Sequence, residues 1–150
     1  MGQSLVQNYM HLIWSTKYRH PLILPEIEKS LHAYLASTCK QLDSPALKVG
    51  GYYDHIHILC RVSKNITIAK LMEQIKKNSS KWVKNQDSKF SNFYWQNGYG
   101  AFSVNPKGVD RVSRYIENQH EHHKSQSFKT EFRLYLEKYK IPYDEKYVWD

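Results

Sequence analysis

Two strand-like runs, residues 46–53 and 55–62, are separated by Asp54 alone, which joins them as antiparallel neighbours through a tight connection. The segments on either side narrow the fold further. Before the pair, Pro25 opens a stretch whose apolar positions Ile27, Leu31, Tyr34, Leu35 and Leu42 follow helical spacing, with Glu26 and Glu28 at the positive end of its dipole. After the pair, Thr67 is placed to cap a helix with Ile68, Leu71, Met72, Ile75, Ser79 and Trp82 along one face. Outside these helices lie the aromatic, β-branched run "NYMHLIWS", residues 8–15, and the β-prone "AFSV" within "NFYWQNGYGAFSVNPKG". The order is therefore β-α-β-β-α-β, followed by helical periodicity over residues 109–124 and 128–140. This predicts an α+β, ferredoxin-like (RRM-like) domain: an antiparallel sheet with helices on one face, plus C-terminal helices. At 150 residues the chain has the size of one domain, 1–150.

Charge gives the first indication of a partner. Twenty-two Lys and Arg against 14 Asp and Glu leave a formal +8, an excess that attracts polyanions, nucleic acid first among them. Part of it is arranged, because Lys77, Lys81 and Lys84 share a stripe of the second helix and are candidate contacts to a phosphate backbone. Trp82, Tyr94, Trp95 and Phe102 are the accompanying candidates for stacking on unpaired bases, although aromatic residues at such spacing more often build the core. Cys39 and Cys60 stand in separate elements without CxxC spacing, so neither a disulfide framework nor a thiolate zinc site is expected. No apolar run is long enough to span a bilayer and the first residues lack signal-peptide character, so the expected location is the cytoplasm, with no membrane partner.

Two motifs carry chemistry. In "DHIHIL", His55 and His57 are two apart on a strand, so both imidazoles share one face and can reach one metal ion or phosphate while Ile56 enters the core. The same alternation also suits a polar, solvated strand face. In "RYIENQHEHHK", Tyr115 and Gln119 are four apart and adjacent on a helix, with His122 one turn on. The histidine run that follows reads as a solvated polar face, because no carboxylate stands at zincin spacing from His120 and His123. Combined, the motifs supply what phosphodiester transfer needs. A divalent ion held by two imidazoles and an amide neutralises developing charge, and a tyrosine hydroxyl attacks the phosphate. The absence of a Walker loop fits a reaction that conserves the phosphodiester without ATP.

"DHIHIL" resembles the His-hydrophobic-His signature of HUH nucleases, and "YIENQHEHH" resembles the tyrosine helix of the single-tyrosine HUH transposases. "HLIWSTKYRHPLI", "YWQNGYGAFSV" and "YDEKYVW" continue that likeness in the same order. The resemblance implies an insertion-sequence transposase that cleaves and rejoins single-stranded DNA through a covalent 5′-phosphotyrosine. By position, Tyr115 matches the nucleophile, and His55, His57 and Gln119 match the ligands of a divalent metal, Mg²⁺ or Mn²⁺. It further implies DNA hairpins at the element ends and a homodimer whose active sites are shared, the tyrosine helix of one subunit lying beside the histidines of the other.

Three other functions fit parts of the pattern. A domesticated relative would process palindromic repeats without mobilising its own element. A non-catalytic single-stranded nucleic-acid binder on the same fold would have no use for the His pair or for Tyr115 with Gln119. A metal-dependent hydrolase of small phosphates would attack with water and leave Tyr115 without a covalent role.

Overall fold

The computed structural model describes residues 1–150. Its elements are β1 (Tyr9–Ser15), α1 (Pro25–Gln41), β2 (Ala46–Tyr52), β3 (His55–Arg61), α2 (Ile68–Lys84), β4 (Gly100–Ser103), α3 (Val109–Glu117), α4 (Gln119–His122) and α5 (Phe128–Lys138). The four strands form one antiparallel sheet in the order β2-β3-β1-β4. This is the ferredoxin-like arrangement expected from the order of periodicities.

Strand alternation divides the sheet into two faces with different chemistry. Met10, Leu12 and Trp14 of β1 and Ile56, Ile58 and Cys60 of β3 point to the face that α1 and α2 cover. There they pack with Ile27, Leu31 and Leu35 from α1 and Leu71, Met72 and Ile75 from α2 in the main core. Each fully buried aliphatic side chain of this kind contributes about 1.5–3 kcal/mol. The thiols of Cys39 and Cys60 are free and buried in the same core, and burial pushes the Cys39 thiol up to about 12. No helix is long and apolar enough to cross a membrane.

The other face is covered as well. Ile13 of β1 and Phe102 of β4 pack under Phe128, Phe132 and Leu136 of α5 in a second, smaller core. Two glycines let these helices approach the strands. A Cβ at Gly100 would lie 2.6 Å from the Phe132 ring, and one at Gly50 would lie 2.7 Å from the Ile116 Cγ2. Gly50→Ala is therefore expected to push α3 off β2 and to lower stability by about 1–3 kcal/mol, the usual cost of overpacking. A denaturant midpoint unchanged from the native protein would show that α3 does not depend on this contact.

The helix expected over residues 109–124 is broken. Asn118, at φ −94° and ψ 20°, separates α3 from α4. Asparagine favours such a turn because its short amide competes with helical hydrogen bonding. The break changes the direction of the histidine run, with consequences for the site.

Candidate active site

His55 and His57 occupy the second face of the sheet and are fully buried, each at 0% exposure. The solvated strand face that alternation also allowed is not found, because α3, α4 and α5 close over it. A third imidazole joins them from β1: His11 Nε2 lies 2.7 Å from His57 Nδ1. Burial and the neighbouring His57 hold His11 well below its ordinary value, so it stands neutral.

The surroundings of each ring decide which nitrogen is bare. Asp54 Oδ1, 2.7 Å from His55 Nδ1, accepts its proton and leaves the Nε2 lone pair facing inward. That lone pair meets Gln119 Oε1 at 2.8 Å, while the Gln119 amide nitrogen donates toward the Tyr115 carbonyl and Glu131 Oε2. A proton on Nε2 makes this contact a hydrogen bond, and a bound cation would take that proton's place. His123 behaves similarly: its Nδ1 donates to the Gln126 carbonyl at 2.6 Å, and its buried Nε2 has no hydrogen-bond partner. Donor atoms of His55, His57, His123 and Glu131 all lie within 4.8 Å of one another. This buried group of three imidazoles and one carboxylate has the ligand chemistry and spacing to bind a metal ion.

Glu131 of α5 is the centre of the cluster, at 2% exposure. Its Oε1 faces the imidazoles, at 3.1 Å from His57 Nε2, 3.3 Å from His123 Nε2 and 3.6 Å from His55 Nε2. Its Oε2 accepts the Tyr115 hydroxyl and the Gln119 amide. Burial alone would raise its pKa, but the imidazoles of His57, His123 and His55 outweigh that and hold the carboxyl far below the usual range. The Tyr115 phenol is pushed the other way, upward, by burial and by the Glu131 charge. It is held protonated, with its oxygen also 3.3 Å from His122 Nε2. Tyr115 and His57 have ring centroids 5.9 Å apart.

The fold thus brings together all four residues read from the two motifs: His55, His57, Tyr115 and Gln119. Three others, His11, His123 and Glu131, were not read as part of a site. The solvated reading of the histidine run holds for His120, which is exposed and pairs with Glu28 at 2.6 Å. It fails for His123 and for half-buried His122, which the turn at Asn118 directs toward Glu131. Glu131 had a sequence signal, an acid set within the apolar stripe Phe128, Phe132, Tyr135 and Leu136, where an unpaired carboxylate is rarely buried. Lys77, Lys81 and Lys84 are not gathered here: α2 packs on the opposite face of the sheet, and Lys84 instead lies 3.9 Å from the Tyr94 ring centroid. Trp95 and Phe102 are core residues and Trp82 stacks on Tyr34, so of the four candidate base platforms only Tyr94 stands well exposed.

Fold and site together define a class: a ferredoxin-like α+β domain with a helix-borne tyrosine beside buried, metal-capable imidazoles on the sheet. The chain belongs to the family described as Transposase IS200 like, whose model matches residues 4–119. It is 23% identical over 116 residues to the ISDra2 transposase TnpA of Deinococcus radiodurans, an alignment covering 74% of this chain and 83% of that one. It is 26% identical over 119 residues to the transposase for insertion sequence element IS200 of Salmonella typhimurium, covering 76% and 78% respectively. In three dimensions it is similar to the crystal structure of a transposase from Deinococcus radiodurans, with a TM-score of 0.62 and 22% identity over 79% of this chain and 96% of the other. A REP-associated tyrosine transposase bound to a REP hairpin gives a TM-score of 0.60 and 13% identity over 82% of this chain and 73% of the other.

Proposed function

We propose that this protein cleaves and rejoins single-stranded DNA at insertion-sequence ends, with Tyr115 forming a covalent 5′-phosphotyrosine link. The observation that carries this reading is the two-sided carboxylate of Glu131, which binds the Tyr115 hydroxyl through one oxygen and faces three imidazoles through the other.

The chemistry follows from those contacts. His55, His57, His123 and Glu131, with Gln119 beside them, would hold a divalent metal ion, which when bound would supply electrostatic stabilisation of the phosphate undergoing substitution. Three imidazole nitrogens shift the preference of the site from Mg²⁺, which favours oxygen donors, toward Mn²⁺. Glu131 Oε2 takes the proton from Tyr115 as the phenol oxygen bonds to phosphorus. The bond to the 3′-oxygen breaks and that oxygen takes up the proton that Glu131 received, leaving a 3′-hydroxyl on one DNA piece, the 5′-phosphate on Tyr115 and Glu131 again ionised. Rejoining reverses these steps, so a strand is exchanged without loss of the high-energy phosphodiester. The substrate is single-stranded DNA carrying hairpins, in keeping with the hairpin-bound relative, and the cytoplasm gives access to it. Incubation with single-stranded DNA from the gene's own flanks and Mn²⁺, followed by denaturing electrophoresis, is expected to show a protein–DNA adduct. Cleavage without an adduct would point to water as nucleophile, and binding without cleavage to the non-catalytic alternative.

One chain suffices to assemble this site, so the homodimer with exchanged tyrosine helices is a second arrangement of the same parts. Mixing His57→Ala with Tyr115→Phe distinguishes the two. Single-chain sites are expected to give no adduct from the mixture, since every site carries a lesion. Exchanged helices create one intact site of the two in each mixed dimer and, with roughly half of the dimers mixed under random pairing, restore at most roughly a quarter of the native activity.

A further inference from the structure

A cleft of about 880 Å³ opens beside Tyr115, between the segment linking β4 to α3 and the outer side of α5. Its walls carry Lys107, Arg111 and Lys138, all exposed, and no carboxylate lines it. Tyr135 and Tyr139 stand along the α5 wall with their rings near parallel, 13° apart at a centroid separation of 6.4 Å. The Tyr139 hydroxyl donates to the Ser103 carbonyl at 3.0 Å, tying that wall to the edge of the sheet. A smaller cavity of about 320 Å³ shares Tyr115, Tyr135 and Lys138 with the cleft and continues to His122 and Glu131. Tyr115 therefore lies where the two spaces meet.

We infer that this cleft is the path by which one DNA strand reaches Tyr115, and that α5 supplies one wall of it. The inference rests on the single-stranded reading of the substrate given above. Its own support is the lining. Cations without a competing acid neutralise a phosphate backbone, and tyrosine rings stack on unpaired bases regardless of sequence. A volume near the upper end of the roughly 300–1,000 Å³ usual for ligand pockets admits a short length of one strand. Because α5 lies beyond residues 4–119, Tyr135, Lys138 and Tyr139 fall outside the part of the chain that matches the family. The contact they make is a feature of this chain's C-terminal helix.

The test is binding, measured apart from cleavage. Fluorescence anisotropy of a labelled oligothymidylate with the full-length protein in EDTA gives affinity as a function of salt. The single strand is expected to bind more tightly than the matching duplex. Replacing Lys107, Arg111 and Lys138 together by Ala should lower the magnitude of the salt slope by about 2, from roughly 0.7 per phosphate neutralised. The same change at Lys77, Lys81 and Lys84 should leave the slope as it is. Tyr139→Ala should weaken binding roughly tenfold, and Tyr139→Phe, which keeps the ring, should not. Thermal melting of each variant separates lost contact from lost fold. Equal binding of duplex and strand, or a slope that responds to the α2 lysines and not to the cleft, would overturn the assignment. An adduct that still forms at the native rate in the triple cleft variant removes the cleft and leaves Tyr115 in place. Strand binding as described, with no adduct from the native protein, removes the covalent mechanism and leaves the cleft.

Discussion

Tyr115→Phe is expected to abolish the covalent protein–DNA adduct and to reduce strand cleavage by at least about 10³-fold, because no other group can take the place of the attacking oxygen. The variant keeps the ring, so its contacts with His57 and Tyr135 survive. Glu131 Oε2 retains the Gln119 amide as a donor. The cost in stability is that of one hydrogen bond to a charged acceptor, about 1.5–3 kcal/mol, and the fold is expected to persist. DNA affinity should change little, since the hydroxyl donates to Glu131 and not to the cleft walls. Denaturing gels report the adduct and anisotropy reports binding on the same preparation. Cleavage at the native rate by the Phe variant would remove Tyr115 from the mechanism, whatever the state of the metal.

The second large effect belongs to Glu131, which no motif marks. Glu131→Gln preserves shape and removes the charge that faces the imidazoles. Binding of Mn²⁺, followed by electron paramagnetic resonance without DNA, is expected to weaken by about 10–100-fold or more, the range seen on removing even outer-shell partners of metal ligands. His57→Ala should act at least as strongly, since it removes a ligand whose orientation His11 fixes. Gln119→Ala should be milder, because water replaces an amide oxygen readily, and its effect should appear as a raised metal requirement. Cleavage by the native protein should stop in excess EDTA and return with Mn²⁺, while Glu131→Gln should stay inactive at concentrations that restore the native protein. Metal affinity unaffected by Glu131→Gln would confine the ion to the two strand histidines and Gln119.

Glu131 also bears on the state of the Tyr115 hydroxyl before any attack. Its negative charge and the surrounding burial hold the Tyr115 phenol in its protonated form. In the proposed mechanism the carboxylate that would receive the proton during attack is the one that restrains the hydroxyl beforehand, and a cation on the opposite oxygen would lower that restraint. This coupling needs both oxygens of one side chain at once, so Glu131→Asp, which draws the carboxylate back by one methylene, is not a conservative change here.

Much of the site was legible from local pattern. The HxH spacing placed His55 and His57 on one face because a strand has a period of two, and the i, i+4 spacing placed Gln119 near Tyr115, a neighbourhood that survives the break at Asn118 in the contact of the Gln119 amide with the Tyr115 carbonyl. The β-α-β-β-α-β order followed from the same periods together with the single residue between two strands. Each of these statements concerns neighbours in sequence, where backbone geometry fixes where side chains go.

What local pattern did not reach depends on long-range packing. Continuous periodicity predicted a helix through Asn118, and the break there turns His122 and His123 inward. The α2 lysines form a stripe in either setting, but only the packing of α2 on the first face of the sheet separates them from the histidines. His57 and Glu131 are 74 residues apart, and their contact exists because Phe128, Phe132 and Leu136 bury against Ile13 and Phe102. The sequence by itself determined the β-α-β-β-α-β order, the antiparallel pairing of β2 with β3 and the two motifs, since those follow from spacing along the backbone. The tertiary structure alone decided that a C-terminal helix carries the carboxylate between the strand imidazoles and Tyr115, because hydrophobic burial is non-directional and says which surfaces meet only once the whole chain has packed.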